Sequence, residues 1–272
     1  MIPKIIHYCW FGGEPLPEMA EKCIASWRKY NPGYQIKRWD ENNFDLACDF
    51  FPREAHQVGR WAFVSDYARL KIIYENGGIY LDTDVEVIKS LDELLSFQCF
   101  LGAETDGYIA TGLGFGAEKG STVVGKMLDA YKGKHFQIGR GVFKDIPCPE
   151  INTPPLIELG YSYSASKIWS IPEVTVFPPE YFCPVDYITG ATKITDKTYS
   201  IHHFSASWVS EQDIAIRRAV ENARKNYKGI RYLVEKQKAL YKVAKEYNGV
   251  RTYPEYLLGR LRVKAVSRFK GW

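Results

Sequence analysis

The sequence predicts an α/β fold with a mostly parallel central sheet, plus a C-terminal basic helical extension. Three observations point there. The chain opens strand–helix–strand, an order that favours parallel pairing through a right-handed crossover. Residues 60–87 (RWAFVSDYARLKIIYENGGIYLDTDVEV) read as a helix, a Gly-Gly stop, a short apolar strand and two aspartates one residue apart. From Ser210 onward the chain changes to long, charged helical patterns. The expected division is a body over residues 1–210 and an extension over 211–272.

Residues 4–8 (KIIHY) form the first expected strand, followed by Trp10-Phe11-Gly12-Gly13. A glycine pair after a strand lets backbone approach a ligand closely. Within that strand, His7 reads as a satisfied core histidine. Residues 17–30 have helical composition, ended by Asn31-Pro32-Gly33, and residues 35–39 alternate as a second strand.

In the helix from Arg60, Asp66 and Arg69 stand three apart and are neighbours on its surface. With Phe63, Tyr67, Leu70 and Tyr74 as the buried stripe, Asp66 falls at the stripe's edge. Gly77 and Gly78 end the helix. Ile79, Tyr80 and Leu81 make a short buried strand, and Asp82 and Asp84 emerge where it ends. In extended chain, residues two apart share a face, so both carboxylates are expected to point the same way. Two like charges held together call for a counter-charge, and a hard divalent cation with oxygen ligands supplies one.

Beyond them, residues 85–88 can continue extended, and 99–103 read as another strand. In residues 104–120 (ETDGYIATGLGFGAEKG), Gly112, Gly114 and Gly116 alternate through apolar residues, more like a tight strand than a phosphate loop. Glu104 and Asp106 are candidates for facing an acceptor, although a loop carboxylate is more often simply solvated. Residues 122–132 read as a helix, while the proline-broken stretches 147–155 and 171–184 are expected to be irregular. Residues 199–208 (YSIHHFSASW) carry an extended lead-in that delivers two histidines. Alternation allows only one of them to face a common site, and His202 is preferred over His203.

The 272 residues are 46% hydrophobic and 25% charged, as in a globular protein. Six cysteines with no C-x-x-C pair read as reduced, structural thiols. Those reduced thiols lead to the expectation of a cytoplasmic protein, and the N-terminus is apolar but too short to span a bilayer and lacks a signal peptide's cleavage region. Residues 214–272 carry 16 Lys and Arg against 4 Glu, a balance of +12 that leaves −8 on the remainder. An acidic body argues against nucleic acid as a partner. The basic amphipathic tail suits docking to an anionic membrane surface from the inner face of the plasma membrane.

The combination of Trp10-Phe11-Gly12-Gly13, residues 62–70 (AFVSDYARL), residues 77–84 (GGIYLDTD) and residues 202–208 (HHFSASW) resembles glycosyltransferase family 32. More distantly it resembles the clostridial glucosylating toxins. The likeness runs from about residue 2 to 209. It implies a GT-A α/β sandwich that moves a hexose from a nucleotide sugar, preferably a UDP-sugar with GDP-mannose as the other choice, most often with retention. The implied acceptor is a glycan or lipid-linked saccharide in capsular or lipopolysaccharide biosynthesis.

By that resemblance Trp10 stacks on the nucleotide base, with Tyr80 on the same donor side. Asp82 binds the ribose and sugar, and Asp84 ligates Mn²⁺ or Mg²⁺. Asp66 and Arg69 hold donor-sugar hydroxyls, and His202 completes the metal site or meets the diphosphate. Ser207 and Trp208 close over the phosphates. Two other readings compete: a metal-dependent nucleotide-sugar hydrolase using the same site with water as acceptor, and a non-enzymatic module binding nucleic acid or an anionic surface. A steep salt dependence of nucleic-acid binding would mark the latter.

Overall fold

The computed structural model describes residues 1–139, 142–143, 146–163, 166–185, 192–204, 215, 219, 223, 226–227 and 229–248. The chain divides into two compact units, Met1–Ser205 and Ala206–Trp272.

In the first unit, β1 (Ile5–Cys9), α1 (Glu18–Tyr30) and β2 (Gln35–Trp39) form the expected strand–helix–strand unit with parallel pairing. Next come α2 (Phe50–Gln57), α3 (Trp61–Asn76), β3 (Gly78–Tyr80), β4 (Val85–Val87), β5 (Cys99–Gly102) and β6 (Phe115–Ala117). The seven-stranded sheet is completed by β9 (Trp169–Ile171) and β10 (Val174–Phe177), in the order β2-β1-β3-β6-β5-β10-β9. Strands β2, β1, β3, β5 and β10 run one way; β6 and β9 run against them. The architecture is α/β with a mostly parallel central sheet.

Alternation along the strands feeds a core on each face. Ile6, Tyr8, Ile79 and Phe100 pack with Ile24 and Trp27 of α1. Cys9, Tyr80, Leu101 and Val176 pack with Val64, Leu70 and Ile73 of α3. On that second face also lie α4 (Thr122–Asp129), α5 (Cys148–Asn152) and α6 (Pro154–Ile157). A short hairpin pairs β7 (Gln137–Gly139) with β8 (Val142–Phe143). Outside the main sheet, β4 pairs antiparallel with β11 (Ser200–His202), which follows α7 (Pro179–Phe182).

The connection from β1 goes to β2 on one side, and the chain then returns to place β3 on β1's other side. That is a topological switch point, where the carboxyl ends of the strands leave a crevice for ligand. Trp10 follows β1 and Asp82 follows β3, so both sit at its mouth.

Several expectations are corrected. Asp82 and Asp84 are not on an extended strand: β3 ends at Tyr80, and a turn closed by Val85 N–H to the Asp82 carbonyl (3.0 Å) carries the pair. The apolar stripe of α3 is wider than expected. Val64, Ala68, Ile72 and Ile73 are buried with Tyr67 and Leu70, whereas Tyr74 is 38% exposed. Gly112 lies in a turn before β6 and Gly114 in the link that follows it; only Gly116 of the three pairs in the sheet. The proline-rich stretches hold α5, α6, β9, β10 and α7, since proline at the first helical positions starts a short helix rather than preventing one.

In the second unit, residues 229–248 form one 20-residue helix, α8 (Gly229–Asn248). The second basic segment, residues 253–272, lies outside the described residues. Among those described, no helix is long and apolar enough to cross a membrane.

Candidate active site

The site is built outward from α3. Asp66, expected at the edge of the buried stripe, and Arg69 are both buried, because α3 has the sheet beneath it and α2 and α4 beside it. The Arg69 guanidinium reaches past its own helix. Its Nη2 lies 3.0 Å from Asp66 Oδ1 and 3.1 Å from Asp82 Oδ1. Nε donates to the Ser65 carbonyl (3.2 Å), and Nη1 donates to Cys148 Sγ (3.8 Å). The guanidinium lies 5.0 Å from the centroid of the Tyr80 ring, whose hydroxyl donates to the same Asp82 oxygen at 2.9 Å. Every nitrogen of the guanidinium has a partner within the protein. Arg69 is thus a buried bridge between two carboxylates rather than a surface ion pair. Tyr80 is 1% exposed, and its hydroxyl is spent on Asp82.

Burial pushes the Asp66 carboxyl up to about 6, with Arg69 pulling it down and Asp82 pushing it further up. Burial likewise raises Asp82, opposed by Arg69. Desolvation works against the Arg69 charge, yet Asp82, Tyr80 and Asp66 hold it well above its ordinary value. A cation shared by two buried carboxylates lets both approach the crevice without water to separate them.

Asp84 meets the chain's late segment. Because β11 pairs with β4, His202 lies opposite Val85, one residue beyond Asp84. His202 Nε2 comes 3.2 Å from Asp84 Oδ1. His203 turns elsewhere, its Nε2 2.8 Å from Glu86 Oε2. His202 is therefore the histidine brought to the aspartates. Burial would lower its pKa, but Asp84, Asp82 and Glu104 together hold it above the ordinary value. Phe204 packs edge-on against the His202 ring at 4.2 Å and has φ +48, a left-handed backbone that a bulky residue seldom adopts.

Ligand atoms of Asp82, Asp84 and His202 lie within 4.8 Å of one another. The His202 Nδ1 is buried and has no hydrogen-bond partner among the described residues. Two carboxylates and an imidazole are the donor set of a hard-to-borderline divalent cation, so the residues fit Mn²⁺ or Mg²⁺.

Trp10 is half-buried at the end of β1, and its indole N–H donates to the Glu14 carbonyl (2.7 Å). Gly12 N–H donates to Glu41 Oε1 (2.6 Å), fixing the loop that follows. Ser207 and Trp208 lie outside the described residues.

Two neighbours escaped sequence reasoning. Gly112 sits against the aspartate: its carbonyl accepts from Asp82 N–H (3.3 Å), and a Cβ there would collide with Asp82 Oδ2. The glycine-rich stretch was the only signal for it. Cys148, the first residue of α5, lies under Arg69 beside Thr111, and its spacing from other motifs carries no signal at all.

Residues 17–101 match the family described as the glycosyltransferase sugar-binding region containing the DXD motif. The chain is 34% identical over 110 residues to an uncharacterized glycosyltransferase, L373, of Acanthamoeba polyphaga mimivirus, covering 38% of this chain and 43% of that one. It is 33% identical over 104 residues to inositol phosphoceramide mannosyltransferase 3 of Schizosaccharomyces pombe, covering 37% and 29%. The chain thus spans less than half the length of these relatives. A solved structure, the PaToxG glycosyltransferase, overlays with a TM-score of 0.47 at 18% identity, covering 58% of this chain and 69% of that one. Asp82 and Asp84, the chain's D-x-D pair, fall inside the matched region, so residues 17–101 are similar to the sugar-binding region of the DXD-motif glycosyltransferases.

Proposed function

We propose that this chain transfers a hexose from a nucleoside diphosphate sugar to a hydroxyl of a glycan or lipid-linked saccharide in surface polysaccharide synthesis. The single observation that carries the reading is the Asp82–Asp84–His202 cluster beside the switch point between β1 and β3. A UDP-sugar is the preferred donor, GDP-mannose the second.

In the transfer, the bond from the anomeric carbon to the diphosphate oxygen breaks and its electron pair leaves with the diphosphate. The acceptor oxygen bonds to the anomeric carbon, and its proton passes to a phosphate oxygen on the same face, with retention. Asp84 and His202 would hold Mn²⁺ or Mg²⁺, which supplies positive charge against the departing diphosphate. Asp82 is aimed by Arg69 and Tyr80 and meets ribose or sugar hydroxyls with its remaining acceptor capacity. Trp10 offers an aromatic face to the base. Asp66 keeps Arg69 charged and in place, acting on the donor through Asp82 rather than by touching it.

The extension is proposed to dock on an anionic membrane surface at the cytoplasmic face, where a lipid-linked acceptor is presented. Supporting this, Leu233 and Val234 are 56% and 48% exposed on α8, and Arg231 and Lys238 share the Val234 face at helical spacing.

A thermal-shift panel of nucleotide sugars with and without Mn²⁺ tests the central reading. One donor should raise the melting temperature only with the ion, since a ligand at a hundred times its Kd stabilises by about 2.7 kcal/mol. Asp84→Asn should lose that shift and donor turnover while keeping the unliganded melting temperature. Release of nucleotide at one rate with and without any acceptor would favour a hydrolase.

A further inference from the structure

The turn that follows β5 lies at the same sheet edge as Asp82, because β5 and β3 run in the same direction. It is tightly built. Ala103 bridges to Ile109, Glu104 N–H donates to the Tyr108 carbonyl (2.8 Å), and Gly107 N–H donates back to the Glu104 carbonyl (2.8 Å). A second segment presses on it. The Tyr161 hydroxyl donates to the Gly107 carbonyl (2.7 Å), and a Cβ at Gly107 would collide with the Tyr163 backbone. The two backbones stack so closely that only glycine fits.

Their side chains emerge together. The Tyr108 and Tyr163 rings meet edge-on at 4.9 Å, and Tyr163 is 49% exposed. An aromatic ring held in place by fixed backbone, half in solvent, is a stacking surface with little ordering cost. Carboxylates flank it. Asp106 caps the turn through the Tyr108 N–H (3.2 Å) and stays exposed. Glu104 is partly buried at the base of the same turn, where burial and Asp106 push its carboxyl above the usual range while His202 pulls it back. From Tyr108 the chain needs only four residues to reach Gly112, against Asp82, at most about 14 Å of extended chain.

We propose that Tyr108 and Tyr163 form the acceptor subsite: a saccharide ring stacks on the tyrosine pair while its hydroxyls donate to Asp106 and Glu104. The carboxylates select an uncharged saccharide over uronic, sulfated or phosphorylated ones. This subsite rests on the sugar-transfer reading and deepens it by naming the acceptor class. Its two tyrosines stand apart from the residues that hold donor and metal.

The test uses the full chain with Mn²⁺ and a panel of neutral disaccharides (lactose, maltose, cellobiose, α-mannobiose) beside a uronic-acid disaccharide. Binding is read by saturation-transfer NMR, and the donor site separately by the thermal shift with UDP. At least one neutral sugar should bind the wild type and the charged sugar should not. Tyr163→Ala and Tyr108→Ala should each weaken that binding about tenfold. Tyr163→Trp should restore it, and the UDP shift should stay the same throughout. Equal sugar binding in wild type and alanine variants, preference for the charged sugar, or no sugar binding at all overturns the subsite. Loss of the UDP shift in the wild type would instead overturn the sugar-transfer reading, so the two failures are distinguishable.

Discussion

Arg69 Nη2 lies 3.1 Å from Asp82 Oδ1, so a buried cation on α3 holds the first carboxylate of the D-x-D pair. The same nitrogen holds Asp66 at 3.0 Å. Removing one partner of such a network strands the others' charge away from water, at about 3–5 kcal/mol. Arg69→Met should therefore lower the urea-unfolding free energy by about that amount. Adding Asp66→Asn should recover part of the loss, because one stranded carboxylate becomes neutral. A loss below about 1 kcal/mol in the single variant would mean that the network is solvated, as surface pairs are.

Gly112 gives a second, sharper test. A side chain there collides with Asp82 Oδ2, while Asp82 Oδ1 is pinned by Arg69 and Tyr80. The aspartate cannot swing aside without breaking one of these contacts. Gly112→Ala should depress donor turnover far more than it lowers the melting temperature, and Gly112→Val should do so further. Full turnover in Gly112→Ala would show that Asp82 has a second useful position.

On α8, the exposed apolar pair and its basic neighbours predict co-sedimentation with vesicles containing phosphatidylserine but not with phosphatidylcholine alone. Leu233→Asp with Val234→Asp should abolish it without changing donor turnover on a soluble acceptor. Unchanged sedimentation of that double variant would refute docking through this helix.

How much of this was legible in the chain differs by element, for physical reasons. α1, α3, β1, β2, β3 and β5 declare themselves through periodicity and glycine or proline punctuation, which are local signals. The pairing of Asp84 with His202 depends on the β4–β11 ladder across more than a hundred residues, so only the alternation of the two histidines hinted at it. The burial of Asp66 and Arg69 was not legible. A three-residue spacing on a helix reads the same whether the pair faces water or, as here, is buried with Arg69 against Cys148. The turn at Asp82–Asp84 was missed because two residues of a turn can aim side chains together as well as two residues of a strand.

His7 supplies a pH prediction away from the site. It is 1% exposed on β1. Trp39 Nε1, a donor only, gives its hydrogen to His7 Nδ1 at 3.0 Å. The proton therefore sits on Nε2, which donates to the Gly77 carbonyl at 3.0 Å. Protonating Nδ1 would set two donors against each other in a dry site. Burial lowers the pKa from 6.5 to about 4, opposed by the Gly77 bond and assisted by Lys37. Between those values the unfolded chain binds the proton and the folded one does not. The stabilisation is therefore complete above about pH 6.5 and drains away as pH falls towards 4, by about 3 kcal/mol in all. His7→Gln can accept from Trp39 and donate to Gly77 without titrating. Urea midpoints taken from pH 7 to pH 4 should fall less in His7→Gln than in the wild type, by the His7 share. Parallel curves for the two proteins would show that His7 titrates normally in the folded state.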